Sequence, residues 1–261
     1  MSQIHPSAVI EEGAVIGRGC VIGPFCLVGA DVELGDQVVL KSHVVVTGNT
    51  KIGDETVIFS FAVLGEVPQD LKFKGEQSRT EIGKRNRIRE HVTVNAGTEG
   101  GGGVTRIGDD GLFMAGCHIA HDAQVGDRVI VVNSAAVAGH CVLEDDVIIG
   151  GLSGIHQWVR IGKGAIVGAV TMVTNDVIPY GLVQAPRGDL DGLNLVGLKR
   201  RGVARSDITA LRAAFQMLAQ GEGTFQERAR RLADESDSDY VQEIVAFITG
   251  DSGRSFLTPG G

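Results

Sequence analysis

Residues 107–173 decide the fold: IGDDGL FMAGCH IAHDAQ VGDRVI VVNSAA VAGHCV LEDDVI IGGLSG IHQWVR IGKGAI VGAVTM V. Cut into sixes, every segment opens on an aliphatic residue except the one led by Phe113. The same period runs upstream from Ile4 to Leu64 and returns at Ile82, Ile88 and Val94, which makes 26 hexads in all. The residue after the leading position is glycine in 12 of them. With the hexad broken after Leu64 set aside, the residue four steps on is small everywhere except at Asn86. A period of six is neither helical nor a simple alternation. It marks a parallel β-helix in which three hexads close a triangular coil of 18 residues. Successive coils then stack at about 4.8 Å, the inter-strand spacing. The leading aliphatic points inward, the small residue shares a tight interior, and glycine is expected to relieve the backbone at the turn. The fold class is therefore mainly β, with nearly nine coils. The general crossover rule favours right-handed connections, so periodicity alone does not assign the hand.

Composition agrees with that interior. Glycine numbers 38, aromatics are 5 % and proline only 6 residues, which with no G-X-Y period excludes collagen and a Pro/Gly linker. Net charge is -8, against a broad basic nucleic-acid surface. The longest uncharged stretch, residues 129–143, is 15 residues and polar in places, too short to span a bilayer. The opening MSQIHPSAVIEEG has no basic segment followed by an apolar one, so the expected compartment is the cytoplasm. Cys20, Cys26, Cys117 and Cys141 all fall on the small inward position and read as buried hydrophobes, not disulfides or metal ligands.

Two segments break the period. Residues 65–81 are polar and aperiodic, and residues 95–106 (NAGTEGGGGVTR) are glycine-rich; both read as loops ejected from the coil, where binding residues tend to sit. The second lacks the GK[ST] that a phosphate-binding loop requires. The repeat organises residues 1–189 as one domain, and 190–261 as a small helical one. In the latter Ser206 is expected to cap SDITALRAAFQMLAQ, Thr224 opens TFQERARRLADES, DYVQEIVAFITG follows, and the tail frays.

An 18-residue coil makes residues 18 apart vertical neighbours, which turns sequence into geometry. His121, Gly139 and Gln157 form one column; Asp122, His140 and Trp158 the next; Ala120, Ala138 and His156 the one before. His118 lies on the coil of His121. Four histidines thus converge, whereas His5, His43 and His91 read as solvated surface residues. Two chemistries suit the cluster. In acyl transfer a neutral imidazole takes a proton from an acceptor hydroxyl while a backbone N–H steadies the oxyanion; Gly139, about 5 Å from His121, is placed for that amide. In metal-assisted hydration or hydrolysis three imidazoles hold zinc, as in the hexapeptide-repeat carbonic anhydrases. Asp122 beside His121 suits a base with an electrostatic partner, provided the corner of the coil falls between them. A silent trimeric spacer is the third possibility.

The segments IGPFCLVG, LKSHVVVTG, LGEVPQDLKFKGE, IGKRNRIREHVTV, HIAHDAQVG, AGHCVL, GIHQWVRIG and NLVGLKRRG resemble the UDP-N-acetylglucosamine O-acyltransferase family of hexapeptide-repeat acyltransferases, which opens lipid A synthesis. The resemblance implies a left-handed β-helix and transfer of a (R)-3-hydroxyacyl chain from acyl carrier protein to the 3-hydroxyl of UDP-N-acetylglucosamine. It implies His121 as general base, Asp122 as its support and Gly139 as oxyanion amide. Gln69, Asp70, Lys72, His118, His140, His156, Gln157 and Asn194 match substrate-contacting positions, and Arg200 and Arg201 match positions for the nucleotide diphosphate or the carrier. Ala169 stands at the acyl-chain ruler, often glycine, which predicts a shorter preferred chain. The family is a homotrimer with sites between subunits, and it uses no cofactor beyond the phosphopantetheine of its donor. Arg205, Arg212, Arg228, Arg230 and Arg231 are candidates for docking the acidic carrier protein. The sequence departs from the family at Asn95 and Ala96, where relatives carry a His-Arg pair, and at Val196, acidic in some relatives; some members accept a 3-amino sugar.

Overall fold

The computed structural model describes residues 1–184, 189–250 and 255–258. Each of the 26 hexads forms a short strand containing its leading residue, from Gln3–Ile4 to Met172–Val173, and all but Val63–Glu66 and Thr93–Asn95 end on it. Together with two further strands after the last coil they make sheets of 11, 9 and 8 strands, and within the coils the pairing is parallel between strands three apart in sequence. These are the three walls of a triangular helix. The register is 18 residues at the start, where Gln3 faces Val21 and Ile4 faces Ile22. It lengthens where the two loops leave: Val57 pairs with Arg87 and Arg87 with Leu112, before Leu112 pairs with Ile130 and the step of 18 returns. Strand pairing runs further into the excursions than the period suggests, through Val63–Glu66, Arg79–Ile82, Thr93–Asn95 and Val104–Ile107. The ejected segments are correspondingly shorter, 67–78 and 96–103.

The interior is dry and narrow. Ile58, Ile88, Phe113, Val131, Ile149 and Val167 form one fully buried column, and all four cysteines are buried and free. The two exceptions to the repeat explain one another. Gly111 occupies a small position, and a Cβ there would come within 2.7 Å of the Phe113 ring; the missing side chain makes room for the ring. Asn86, one coil away and fully buried, accepts from Gly111 N and donates to Gly108 O, both at 2.8 Å, so its polar atoms are satisfied.

The repeat glycines serve a purpose other than the one expected. Gly17, Gly53 and Gly162 have ordinary negative φ, but an added Cβ would approach the backbone of the next coil to 2.3–2.6 Å. They are needed for close stacking. The left-handed corner conformation falls two residues later and is carried by 17 non-glycine residues, among them Phe25, His43, Asp122, His140 and Trp158. The regular ladder imposes this torsion on whatever side chain stands there.

After the last coil, Gly181–Gln184 extends the 11-stranded sheet and Asp189–Leu193 folds back antiparallel to it. Helix therefore begins only at α1 (Leu195–Arg200), followed by α2 (Arg205–Gln220), α3 (Phe225–Glu235) and α4 (Asp239–Thr249). Ser206 does not cap α2, which starts at Arg205 with Ala204 in the cap position, two residues before Ser206; its first turn is tied instead by Ser238 donating to Asp207 at 2.8 Å. Thr224 does cap α3, in a reciprocal capping box with Glu227. The tail is not frayed throughout: Ser255 and Leu257 bond to the backbone of Asp176, while 251–254 and 259–261 lie outside the described residues. Among the described residues no helix is long and apolar enough to cross a membrane.

Candidate active site

The site is built on one corner of the triangle. Asp122 holds the left-handed corner conformation (φ 60°), so the chain turns between His121 and Asp122. The two side chains, which would diverge on a straight strand, meet: His121 Nδ1 donates to Asp122 Oδ2 at 2.8 Å. Both are buried. The glycine-rich excursion wraps the carboxylate. Thr98 N donates to Oδ1 at 2.8 Å and Thr98 Oγ1 to Oδ2 at 2.6 Å, while the Asp122 N–H is held by Thr105 Oγ1. Gly101 passes so close that a Cβ would meet the carboxyl carbon at 2.0 Å, which is why that loop needs glycine here. A carboxylate only accepts, so the Nδ1 proton stays on the Asp122 side and Nε2 keeps its lone pair. That is the tautomer of a base.

Gly139 sits one coil away, beneath the imidazole. A Cβ there would lie 2.5 Å from His121 Cε1 and 2.6 Å from Nε2, so only glycine admits the ring. Its amide has a further property. At another corner the amides in the equivalent hexad position are each capped by a carboxylate of the next coil: Asp36 N by Asp54, Asp109 N by Asp127 and Asp127 N by Asp145, at 2.8–2.9 Å. At Gly139 the next coil supplies Gln157, and the Gly139 N–H makes no hydrogen bond among the described residues. The repeat therefore shows an anionic oxygen seated on this kind of amide, and Gly139 leaves the seat open beside His121.

His140 and Trp158 continue the Asp122 column. The His140 ring meets His121 edge-on at 4.8 Å and stacks on Trp158 at 3.8 Å and 7°. Its Nδ1 is 3.6 Å from Asp122 Oδ2, an electrostatic contact rather than a hydrogen bond. Burial holds the His140 imidazole below its usual value against the pull of Asp122. His118, bonded to Thr93 Oγ1 at 2.7 Å, is likewise depressed by burial, with His121 adding repulsion. Two clefts flank the pair. One of about 370 Å³ brings Gln69, His118, His121, Gly139, His156 and Gln157 together along one sheet face. The other, about 520 Å³, joins Asp70, Lys72 and Lys74 of the first excursion to His140 and Trp158.

Comparisons with known proteins show which family the chain belongs to. Residues 176–257 match the family model described as Udp N-acetylglucosamine O-acyltransferase, Domain 2, and residues 1–30 and 13–48 match that of bacterial transferase hexapeptide (six repeats). The chain is 71 % identical to an acyl-[acyl-carrier-protein]–UDP-N-acetylglucosamine O-acyltransferase of Paracoccus denitrificans over 204 residues, covering 78 % of this chain and 77 % of the relative. It is 46 % identical to that of Rhizobium etli over 259 residues, 99 % of this chain and 95 % of the relative. The chain belongs to the UDP-N-acetylglucosamine O-acyltransferase family. Among solved structures, the UDP-N-acetylglucosamine acyltransferase from Campylobacter jejuni superposes with a TM-score of 0.93 at 39 % identity, covering 99 % of this chain and 100 % of that one. The β-helix is accordingly left-handed.

Against the family pattern, several expected residues stand apart from the His121 corner. Asn194 is buried and its side chain is tied into the fold: Oδ1 accepts from Gly197 N as the cap of α1, and Nδ2 donates to Gly164 O, both at 2.9 Å. Arg200 and Arg201 are exposed at the end of the same helix, with Arg201 over Tyr180 and beside Gly164. Gly164 and Tyr180 belong to a corner other than the one holding His121, so within one subunit these residues do not reach the base. Ala169 is exposed at the third corner, three residues before the cleft-lining Met172. Of the carrier-docking candidates, Arg228 donates to Gly221 O and Gly223 O and Arg231 to Glu222 O, so both close the turn before α3. Arg205, Arg212 and Arg230 are exposed.

Thr98 and Thr105, which orient Asp122, were not legible beforehand. Their partner lies across an ejected loop whose path the period does not describe. A zinc reading fits poorly. His121, Asp122 and His140 bring ligand atoms within 4.8 Å of one another, but this offers two imidazoles, and both Asp122 oxygens already accept hydrogen bonds.

Proposed function

We propose that this protein transfers a (R)-3-hydroxyacyl chain from the thioester of acyl carrier protein to the 3-hydroxyl of UDP-N-acetylglucosamine, the first step of lipid A synthesis. The observation that carries the mechanism is the His121–Asp122 bond at a coil corner, with the open Gly139 amide beneath it. His121 Nε2 takes the proton of the sugar hydroxyl as its oxygen attacks the thioester carbonyl. The resulting oxyanion is held by Gly139 N–H, and Asp122 stabilises the imidazolium. Collapse breaks the C–S bond, and the departing thiolate recovers the proton from His121. Ester and free carrier thiol result, with no resident cofactor required.

Gln69, Asp70, Lys72, His118, His140, His156 and Gln157 surround this centre and act as substrate contacts, while Ala169 ends the acyl groove. Asn194, Arg200 and Arg201 complete a site only if another copy presents them, which supports a homotrimer with sites between subunits. Exposed apolar side chains at the corners, such as Phe25, Phe61, Leu152 and Val170, supply surface for that packing. Residues 1–189 act as the catalytic β-helix and 190–261 as the region that meets carrier protein and nucleotide. The compartment is the cytoplasm.

The test is incubation with a panel of acyl carrier thioesters and UDP-sugars, the 3-amino acceptor included, with products read by mass spectrometry. The 3-O-acyl product is expected from the wild type and is lost in His121→Ala with circular dichroism unchanged. Wild-type turnover by His121→Ala, or no thioester consumption by the wild type, overturns the reading.

A further inference from the structure

The two excursions are fastened to one another, a link that the acyl-transfer step itself does not use. The first leaves the coil after Glu66 and returns at Arg79, and the second occupies 96–103. Both roots of the first hold the second. At the exit Ala96 N donates to Glu66 O at 2.9 Å; at the return Gly97 N donates to Arg79 O at 3.3 Å and Arg79 N to Gly103 O at 2.9 Å. Thr98, whose N–H and hydroxyl both hold Asp122, stands between these anchor points. Backbone bonds of this kind are open to almost any sequence. One side chain adds to them: Asn95 Nδ2 donates to Val67 O at 3.2 Å and lies 3.5 Å from Glu66 O.

Asn95 is 4 % exposed and borders the cleft that holds Gln69 and His121. The orientation of its amide is fixed, because a flipped amide would set its oxygen against two carbonyl oxygens. Its Oδ1 is left buried with no hydrogen-bond partner among the described residues. An unpartnered buried acceptor costs stability, and an apolar side chain of the same shape would avoid that cost. Stability therefore does not account for asparagine here, at a position where the sequence departs from the His-Arg pair of its relatives.

We infer that Asn95 is a positioning residue for the reaction. Its amide ties the root of the substrate-contacting excursion to the strand that runs into Thr98. Gln69, Asp70 and Lys72 on one loop, and the His121–Asp122 pair gripped by the other, are thereby held as one unit. The route is contiguous: Val67 to Asn95 through the amide, along the chain to Thr98, and from Thr98 to Asp122 by two hydrogen bonds. What the loops hold rests on the acyl-transfer reading; the link between them does not.

Asn95→Leu removes the donor and the orphaned acceptor at similar volume, so its melting temperature is expected to match the wild type. In hydrogen–deuterium exchange of the full-length protein without substrate, residues 67–78 and 96–103 should exchange faster together. The strands from Gln3–Ile4 to Val57–Ile58 should keep their rates. In initial-rate assays the KM for UDP-N-acetylglucosamine is expected to rise and kcat to fall, each about five- to tenfold. In a Thr98→Val background Asn95→Leu should lower kcat no further, since the link is already cut, while its effect on KM persists. If the two kcat losses instead multiply to within about twofold, the residues act independently and the inference falls. It falls also if exchange quickens at 67–78 alone, or if KM and kcat stay at their wild-type values. Faster exchange throughout the coils with a lowered melt makes Asn95 a purely structural residue and overturns it as well. Absent wild-type turnover removes the acyl-transfer reading, and the exchange result then decides the link by itself.

Discussion

Replacing Gly139 by alanine tests the geometry of the base more sharply than deleting the base. The new methyl would stand 2.5 Å from His121 Cε1 and 2.6 Å from Nε2. Carbon atoms in contact rest about 3.5–4.0 Å apart, so ring and methyl must separate by about 1 Å. The stacked coils confine the Gly139 backbone, whereas the imidazole is a side chain held chiefly by its 2.8 Å bond to Asp122. The ring is what moves, and a shift of about 1 Å takes that bond beyond hydrogen-bonding distance. Misplacement of a reacting group by about 1 Å costs on the order of 100-fold in rate, equivalent to about 2.7 kcal/mol of barrier. The methyl also overpacks the corner, at about 1–3 kcal/mol of stability. Gly139→Ala is therefore expected to retain its fold, melt somewhat lower and lose about two decades in kcat, while still offering its backbone N–H. The assay is initial-rate transfer from a 3-hydroxyacyl carrier thioester, read beside a thermal melt. A kcat within twofold of wild type, with a normal melt, would refute the assignment of His121 as the base above this glycine.

Thr98→Val removes the hydroxyl that donates to Asp122 at 2.6 Å and keeps the shape. It is expected to destabilise by about 1.5–3 kcal/mol in denaturant titration, and to lower kcat while KM holds. For Ala169→Gly, a series of acyl carrier thioesters should reveal a preference displaced toward longer chains; an unchanged optimum removes Ala169 as the ruler. His118 and His140 are held below the ordinary histidine value of 6.5 by burial, so the folded state prefers them neutral and the unfolded state binds more protons. Their contribution to stability is complete above that value and declines as pH falls below it. Melting temperatures measured between pH 7.5 and 5 should drop on the acid side, and His118→Gln should flatten that slope.

Much of the site was legible because a six-residue period converts sequence distance into spatial distance. The columns His121–Gly139–Gln157 and Asp122–His140–Trp158 follow from stacking alone, and the 3.8 Å contact of His140 with Trp158 has that origin. The same logic placed the cysteines inside. It misassigned the purpose of the repeat glycines, because a period shows where glycine recurs and not whether torsion or close approach requires it. It also placed a cap at Ser206, whereas the cap position falls two residues earlier at Ala204 and the first turn is tied through Asp207 to Ser238.

By itself, then, the sequence determined the coil, its register and which histidines share a corner, since these depend on a local pattern repeated 26 times. Tertiary structure alone decided that the chain turns between His121 and Asp122, that Thr98 returns from an ejected loop to grip the carboxylate, and that Asn194, Arg200 and Arg201 lie against a different corner. The first follows from where the ladder puts its corner within each hexad, and the other two depend on a loop or a terminal segment whose path is set by contacts distant in sequence. A period carries no information about the residues that leave it.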